Sequence, residues 1–194
     1  MPLTTFIIPT IGRDSLLRTV NSVLTQHDPD WQCFIICDGS GQYPALMLSD
    51  LRLDVFQTSM KLGTHEGDNP GQSYAGRVRN YGIDHVETPW ISFVDDDDTI
   101  TPDYVSRLKE VQENNDVVVF KMDHPQLGIL PPGDSHELIN GQVGISYSVR
   151  KSFLDTYNLR FINSGIEDYE LLMALQFHKA RFHFSPCVTY KVRH

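Results

Sequence analysis

Trp90-Ile91-Ser92-Phe93-Val94-Asp95-Asp96-Asp97-Asp98-Thr99 is the stretch from which the rest of the chain is read. A short apolar run bounded by turn-forming residues predicts a buried strand, and this one runs straight into four carboxylates. Four adjacent anions at the end of a buried strand repel one another and lose hydration. The arrangement makes sense where a cation sits, and hard oxygen ligands suit Mg²⁺ or Mn²⁺. The alternative is an acidic loop capping the next helix, which would use one aspartate rather than four.

The 194-residue chain is long enough for one domain with a substantial core. Its formal charge of −9 disfavours general binding to nucleic acid or to an anionic membrane. A phosphate-bearing ligand would have to be met locally, by a metal or a few arginines. Cys33, Cys37 and Cys187 lack zinc spacing, and an odd number does not make a disulfide framework. They read as buried thiols in a reducing compartment. No signal peptide, transmembrane run or lipidation motif is visible, so a cytoplasmic location is expected.

Upstream of the acidic run, residues 3–9 predict a strand closed by Pro9, and Asp14 offers an N-cap. Leu16, Leu17, Val20, Val23 and Leu24 recur at helical spacing, predicting a helix over 15–26. Trp31–Cys37 predicts a second buried strand ending at the turn Asp38-Gly39-Ser40. A short helix near 44–50 and a third strand near 53–57 follow. A polar loop over 58–72 leads to a helix from about Ser73 to Val86, with Tyr74, Val78, Tyr81 and Val86 inward. Downstream, Thr101 as N-cap and Pro102 at the first helical position announce a helix to about Asn114, before a strand at Asp116–Met122. Strand and helix in this rhythm predict parallel pairing with right-handed crossovers. Ligands of such sheets bind at the C-terminal ends of the strands, where the acids lie.

The last third changes character. Residues 123–140, with Pro125, Pro131, Pro132 and Gly133, predict a hairpin or loop. A strand at Val143–Val149, a short helix at Lys151–Tyr157 and a helix from Glu167 to about Lys179 follow. Arg181–Phe184 and Val188–Val192 read as two short strands. Residues 1–194 are expected to form a single domain, with a regular part at about 1–120 and an irregular part at about 121–194.

Several features then fall into one order: Ile8-Pro9-Thr10 with Gly12-Arg13, Asp38-Gly39-Ser40, Val78-Arg79-Asn80-Tyr81-Gly82-Ile83, Phe93-Val94 with Asp95 to Asp98, and Glu167-Asp168. Over almost its whole length the chain resembles a family 2 glycosyltransferase of the GT-A fold. That resemblance implies an α/β, Rossmann-like, mainly parallel sheet flanked by helices. It implies transfer, with inversion, of a sugar from a nucleoside-diphosphate donor to a hydroxyl of a glycan or other acceptor. A UDP-sugar is the donor guessed from the resemblance, and Mn²⁺ or Mg²⁺ the cofactor. Pro9, Thr10, Arg13 and Asp38 match the parts that hold the base and ribose, and Arg79 an arginine near the nucleotide. Asp95 and Asp97 match the Asp-x-Asp motif, Asp168 the catalytic base, and His194 a histidine found after a late strand. Cys37 stands where relatives carry an acid, and Val78 where they carry alanine. The first 120 residues become the nucleotide-binding part, and 121–194 the acceptor and base part.

The chemistry of these residue types fits the implied reaction. On an extended backbone Asp95 and Asp97 share one face and Asp96 and Asp98 the other. Asp97 is then expected on the metal, with Asp95 on ribose or metal and Asp98 capping a helix or supporting from behind. A base opposite the leaving diphosphate must take the acceptor proton. Asp168 stands at a helix start, where the dipole lowers its basicity and burial would have to compensate. Arg77 and Arg79 lie two apart on a helix and cannot both face one site. His194 reads equally as a metal ligand or a frayed terminus, and His65 as solvated. Trp31, Trp90, Cys33 and Cys37 read as core. Two other readings stay open: a haloacid-dehalogenase-type phosphohydrolase, from Asp95-Asp96-Asp97-Asp98-Thr99, and a non-catalytic sugar-nucleotide-binding module.

Overall fold

A computed structural model describes residues 1–39, 50–63, 75–162 and 164–193. The short helix expected near 44–50, His65, Tyr74 and His194 lie outside the described residues.

Strands β1 (Thr4–Thr10), β2 (Trp31–Cys37), β3 (Leu53–Gln57) and β4 (Trp90–Phe93) form the regular half. They lie in the order β3-β2-β1-β4, all parallel. β1 and β4 are buried at every position and β2 at all but one, as strands covered on both faces must be. Helices α1 (Leu16–Leu24) and α2 (Ala75–His85) connect them. α1 buries Leu16, Thr19, Val20 and Val23, while Leu17 faces solvent at 46% exposure. The expected Asp14 cap is not used, because the position before the helix is Ser15 and no side chain caps it.

α2 packs closely on the sheet because of Gly82. A Cβ there would sit 2.9 Å from Ile7 Cγ2 and 3.3 Å from Ile36 Cγ1, on β1 and β2. At the end of β2, Gly39 takes φ 84°, a backbone region that L side chains rarely occupy. A buried hydroxyl chain crosses the core: Thr4 Oγ1 to Ser92 Oγ (2.9 Å), Ser92 to Ser148 (2.7 Å) and Ser148 to Tyr104 Oη (3.0 Å). Buried polar groups cost little when each finds a partner in this way.

The second half joins the same sheet with mixed polarity. β5 (Thr99–Ile100), α3 (Tyr104–Val111), β6 (Val117–His124) and β7 (Gly128–Leu130) precede β8 (Tyr147–Arg150), α4 (Lys151–Thr156), α5 (Glu167–Phe177) and β9 (Phe182–Lys191). β8 runs antiparallel to both β4 and β6, and β9 parallel to β6. The parallel expectation therefore holds for the first half, and the pairing becomes mixed beyond β4. Helix α3 is shorter than expected, because Thr101 Oγ1 donates to Asp103 Oδ1 (2.6 Å) and the helix begins only at Tyr104. The expected strand at Val143–Val149 is confined to Tyr147–Arg150, with Val143 in an isolated bridge to Asn140. The two late strands are one, since a register shift along β6 lets β9 pass an irregularity without breaking.

Candidate active site

A cavity of about 220 Å³ opens at the C-terminal ends of β1, β2 and β4. Pro9, Thr10, Arg13, Asp38, Arg79, Asp95 and Asp97 all line it, together with Ile11, Ala75, Val78 and Asp96. Asp168 does not line it.

The acidic run does not continue as an extended strand. The chain turns at Asp96–Asp97, and the Asp98 amide donates to the Asp95 carbonyl at 3.1 Å. The expected alternation is therefore replaced: Asp95, Asp96 and Asp97 all reach the cavity, and Asp98 alone points away. Distant residues hold the turn. Arg18 Nη2 donates to the Asp97 carbonyl and Thr19 Oγ1 to the Asp98 carbonyl, both at 2.7 Å. Tyr190 Oη accepts from the Asp95 amide (3.1 Å) and donates to Asp98 Oδ2 (2.9 Å). Asp98 Oδ1 also accepts from the Arg193 amide. Asp98 thus ties the end of β9 to the turn and caps no helix. Burial, with the Asp95 charge adding, pushes its carboxyl up to about 6.

Each carboxylate facing the cavity has its own partner. Asp96 accepts from Thr10 Oγ1 (2.6 Å) and Arg13 Nη1 (3.1 Å), and burial raises its pKa. Asp97 Oδ2 accepts from the same Arg13 nitrogen at 2.5 Å. Asp95 Oδ1 accepts from Arg79 Nη2. Asp38 is buried, and its two oxygens accept from the Leu62 amide (2.5 Å) and the Gly63 amide (3.0 Å). The carboxylate expected to read a base is thus also the anchor of the segment after β3.

Arg79 is the centre of a second cluster. Its side chain is 5% exposed, and Nη1 donates to Glu167 Oε1 at 3.2 Å. Gly76 makes that reach possible: a Cβ there would meet Phe161 Cβ at 2.8 Å and Glu167 Cγ at 3.2 Å. The neighbouring Asn80 clamps the Phe161 backbone, donating to its carbonyl (2.8 Å) and accepting from its amide (2.9 Å). The Arg-Asn pair therefore docks the start of α5 against α2. Arg77 is not simply a surface residue, since it donates to the Leu62 carbonyl at 3.3 Å.

Asp168 sits in the first turn of α5, with Oδ1 accepting from the Tyr169 amide at 2.8 Å. Burial raises its pKa against the lowering pull of that amide and of Arg79, so desolvation outweighs the helix start. A Cβ on Gly144 would stand 3.5 Å from Asp168 Oδ2. Sequence reasoning missed Tyr190, Arg18 and the Glu167–Arg79 pair. The acidic helix start was visible, but which acid Arg79 takes depends on the close approach at Gly76.

The described carboxylates facing the cavity do not by themselves enclose a divalent cation. Among the described residues no three His, Cys, Asp or Glu side chains form a metal cage. Asp95 and Asp97 nonetheless each keep one carboxylate oxygen that no described donor reaches. Mg²⁺-like cations often take only one or two carboxylates and complete their shell with substrate phosphates and water. The residues fit a cation that arrives with a diphosphate. His194, the other expected ligand, lies outside the described residues.

Comparison with known proteins agrees with this architecture. The S. aureus TarS 1–349 crystal structure matches with a TM-score of 0.80 at 20% identity, over 99% of this chain and 60% of that one. Its complex with UDP-GlcNAc matches at 0.77 and 20% identity, over 98% and 58%. The mannosyltransferase PcManGT from Pyrobaculum calidifontis, in complex with GDP-Man and Mn²⁺, matches at 0.74 and 14% identity, over 99% and 57%. The chain thus spans about 60% of the length of the first of these, and at such identities the likeness carries the GT-A fold alone. No curated protein matches. The family described as Glycosyl transferase family 2 matches residues 5–166. That span covers most of the chain and every strand that lines the cavity, and the chain belongs to glycosyl transferase family 2.

Proposed function

We propose that the protein transfers a sugar from a nucleoside-diphosphate donor, a UDP-sugar first among those to test, to a hydroxyl of a glycan or other acceptor. The observation that carries the proposal is the convergence of Pro9, Thr10, Arg13, Asp38, Arg79, Asp95 and Asp97 on one cavity in a member of this family. TarS in complex with UDP-GlcNAc and PcManGT in complex with GDP-Man and Mn²⁺ have the same fold. The proposal gives residues 1–120 to the donor and 121–194 to the acceptor and base, within one domain. The haloacid-dehalogenase reading is set aside: the family match spans 5–166, and the acidic run ends the fourth strand rather than the first.

Asp95 and Asp97 would hold Mn²⁺ or Mg²⁺, which when bound supplies charge neutralisation to the leaving diphosphate. Asp96 is bonded by Thr10 and only 7% exposed, against 34% for Asp95 and 23% for Asp97, so a cation arriving with the diphosphate would meet two accessible carboxylates rather than three. Arg79 pairs with both Asp95 and Glu167 and holds α5 beside the site. Asp168 takes the acceptor proton. Its burial favours the neutral form and so strengthens it as a base, which suits inverting transfer. No described helix is long and apolar enough to cross a membrane. A cytoplasmic location is part of the proposal, supported by three unpaired thiols.

Asp168→Asn keeps shape but removes the proton acceptor. Turnover should fall by about 10²–10⁴ with donor affinity nearly unchanged. Glu167→Gln and Glu170→Gln serve as comparisons, assayed for donor binding and for transfer or donor hydrolysis. A dead Glu170→Gln with an active Asp168→Asn would overturn the assignment of the base. Donor binding without turnover across many acceptors would favour a binding module instead.

A further inference from the structure

Arg13 occupies the acidic end of the cavity. One guanidinium nitrogen contacts Asp96 Oδ1 (3.1 Å) and Asp97 Oδ2 (2.5 Å) at once, while the side chain stays 48% exposed. The turn does not depend on this contact, because Arg18, Thr19 and Tyr190 hold it through backbone groups and Asp98. Asp96 likewise keeps its bond from Thr10. Asp97 is different: among the described residues, Arg13 is its only side-chain donor. A divalent cation and a guanidinium cannot both hold one carboxylate closely without facing each other as like charges. Arg79 cannot be the group that yields, since it is buried between two acids.

Resting on the metal reading above, we propose that Arg13 is a resident counter-ion of the cation site. It holds Asp97 when no donor is bound, releases it to the divalent cation, and turns its guanidinium to the donor diphosphate. This places Arg13 at the phosphate end of the donor rather than at base and ribose.

Mn²⁺ binding, followed by loss of the free-ion EPR signal, tests the exchange, first without nucleotide and then with UDP. In Arg13→Met, Mn²⁺ alone should bind about two- to fivefold more tightly, the scale of a lost half-exposed ion pair. UDP in the presence of Mn²⁺ should bind about tenfold more weakly, the scale of a lost charged hydrogen bond. A merely structural residue would move both affinities in the same direction. Lys109→Met removes an equal charge at the other end of the sheet, where Lys109 pairs with Asp28 and Asp30 ahead of β2, so its Mn²⁺ affinity should stay near wild type. An unchanged or weaker Mn²⁺ affinity in Arg13→Met overturns the inference, as does an equal rise in Lys109→Met. If Asp97→Ala loses Mn²⁺ but Arg13→Met does not alter it, the inference alone falls. A wild-type chain that takes up no Mn²⁺, with or without UDP, overturns the metal reading as well.

Discussion

Replacing Arg79 by methionine keeps side-chain bulk and removes the charge that joins the cavity to α5. The guanidinium lies between Asp95 and Glu167, whose side chains are 34% and 14% exposed. At 3.2 Å and an effective dielectric constant of about 20, the Arg79–Glu167 attraction alone is roughly 5 kcal/mol before desolvation is subtracted. Removing one member of a buried pair costs about 3–5 kcal/mol, because the other charge stays buried without a partner. With an m-value of about 2 kcal/mol/M, the urea midpoint should fall by roughly 1.5–2.5 M. Arg79→Met/Glu167→Gln should recover part of that loss, with a coupling of about 1–3 kcal/mol.

The pH dependence of Arg79→Met has a definite sign. Burial already raises the Glu167 pKa, and loss of Arg79 raises it further. The folded state then binds a proton that the unfolded state lacks, so stability falls as pH rises through this window. The deficit of Arg79→Met should therefore be largest at pH 7 and shrink toward pH 5. A wild-type midpoint in Arg79→Met would refute the electrostatic account. An Arg79→Met/Glu167→Gln variant no more stable than Arg79→Met would assign the loss to packing.

Asp116 binds Arg181 through both oxygens at 2.9 Å, and these bonds lower its pKa. Asp116→Asn should be modestly less stable at pH 7, since Arg181 is 58% exposed and solvent screens the pair. A depressed acid contributes fully above its unfolded pKa of about 3.9, so the difference from wild type should shrink as pH falls below that value and through the lower folded-state pKa; a constant difference in denaturant melts would count against the pair. Gly82→Ala sets a helix gain of about 1 kcal/mol against overpacking of about 1–3 kcal/mol on the stiff branch of Ile7. Its melting temperature should drop, and a rise would mean that α2 can shift. Cys33 and Cys37 are buried, and burial raises both thiols, Cys37 up to about 11. A thiol reagent at neutral pH should titrate Cys187 first, and the other two only in denaturant; fast reaction of all three in the native protein would contradict this packing.

The strand segments were legible in the residues because burial of a strand leaves a local mark. Trp31–Cys37 and 53–57 are apolar or bounded by turn residues, and the strands there begin and end as expected. Since ligands of such sheets bind at strand ends, locating the ends of β1, β2 and β4 also located Thr10, Asp38 and Asp95 beside one another. Pairing over long separations leaves no such mark. The turn at Asp95–Asp98 is held by Tyr190, 92 residues from Asp98, and by Thr19, 79 residues before it. An aspartate run read alone continues the strand, and only these contacts bend it and send Asp96 into the cavity. In the same way, Glu167 rather than Asp168 meets Arg79 because Gly76 lets α2 approach within van der Waals range of the Glu167 stem. The basicity of Asp168 was a contest between helix dipole and burial that spacing along the chain could not settle. Packing around α5 decides it, because desolvation depends on what surrounds the carboxylate in space.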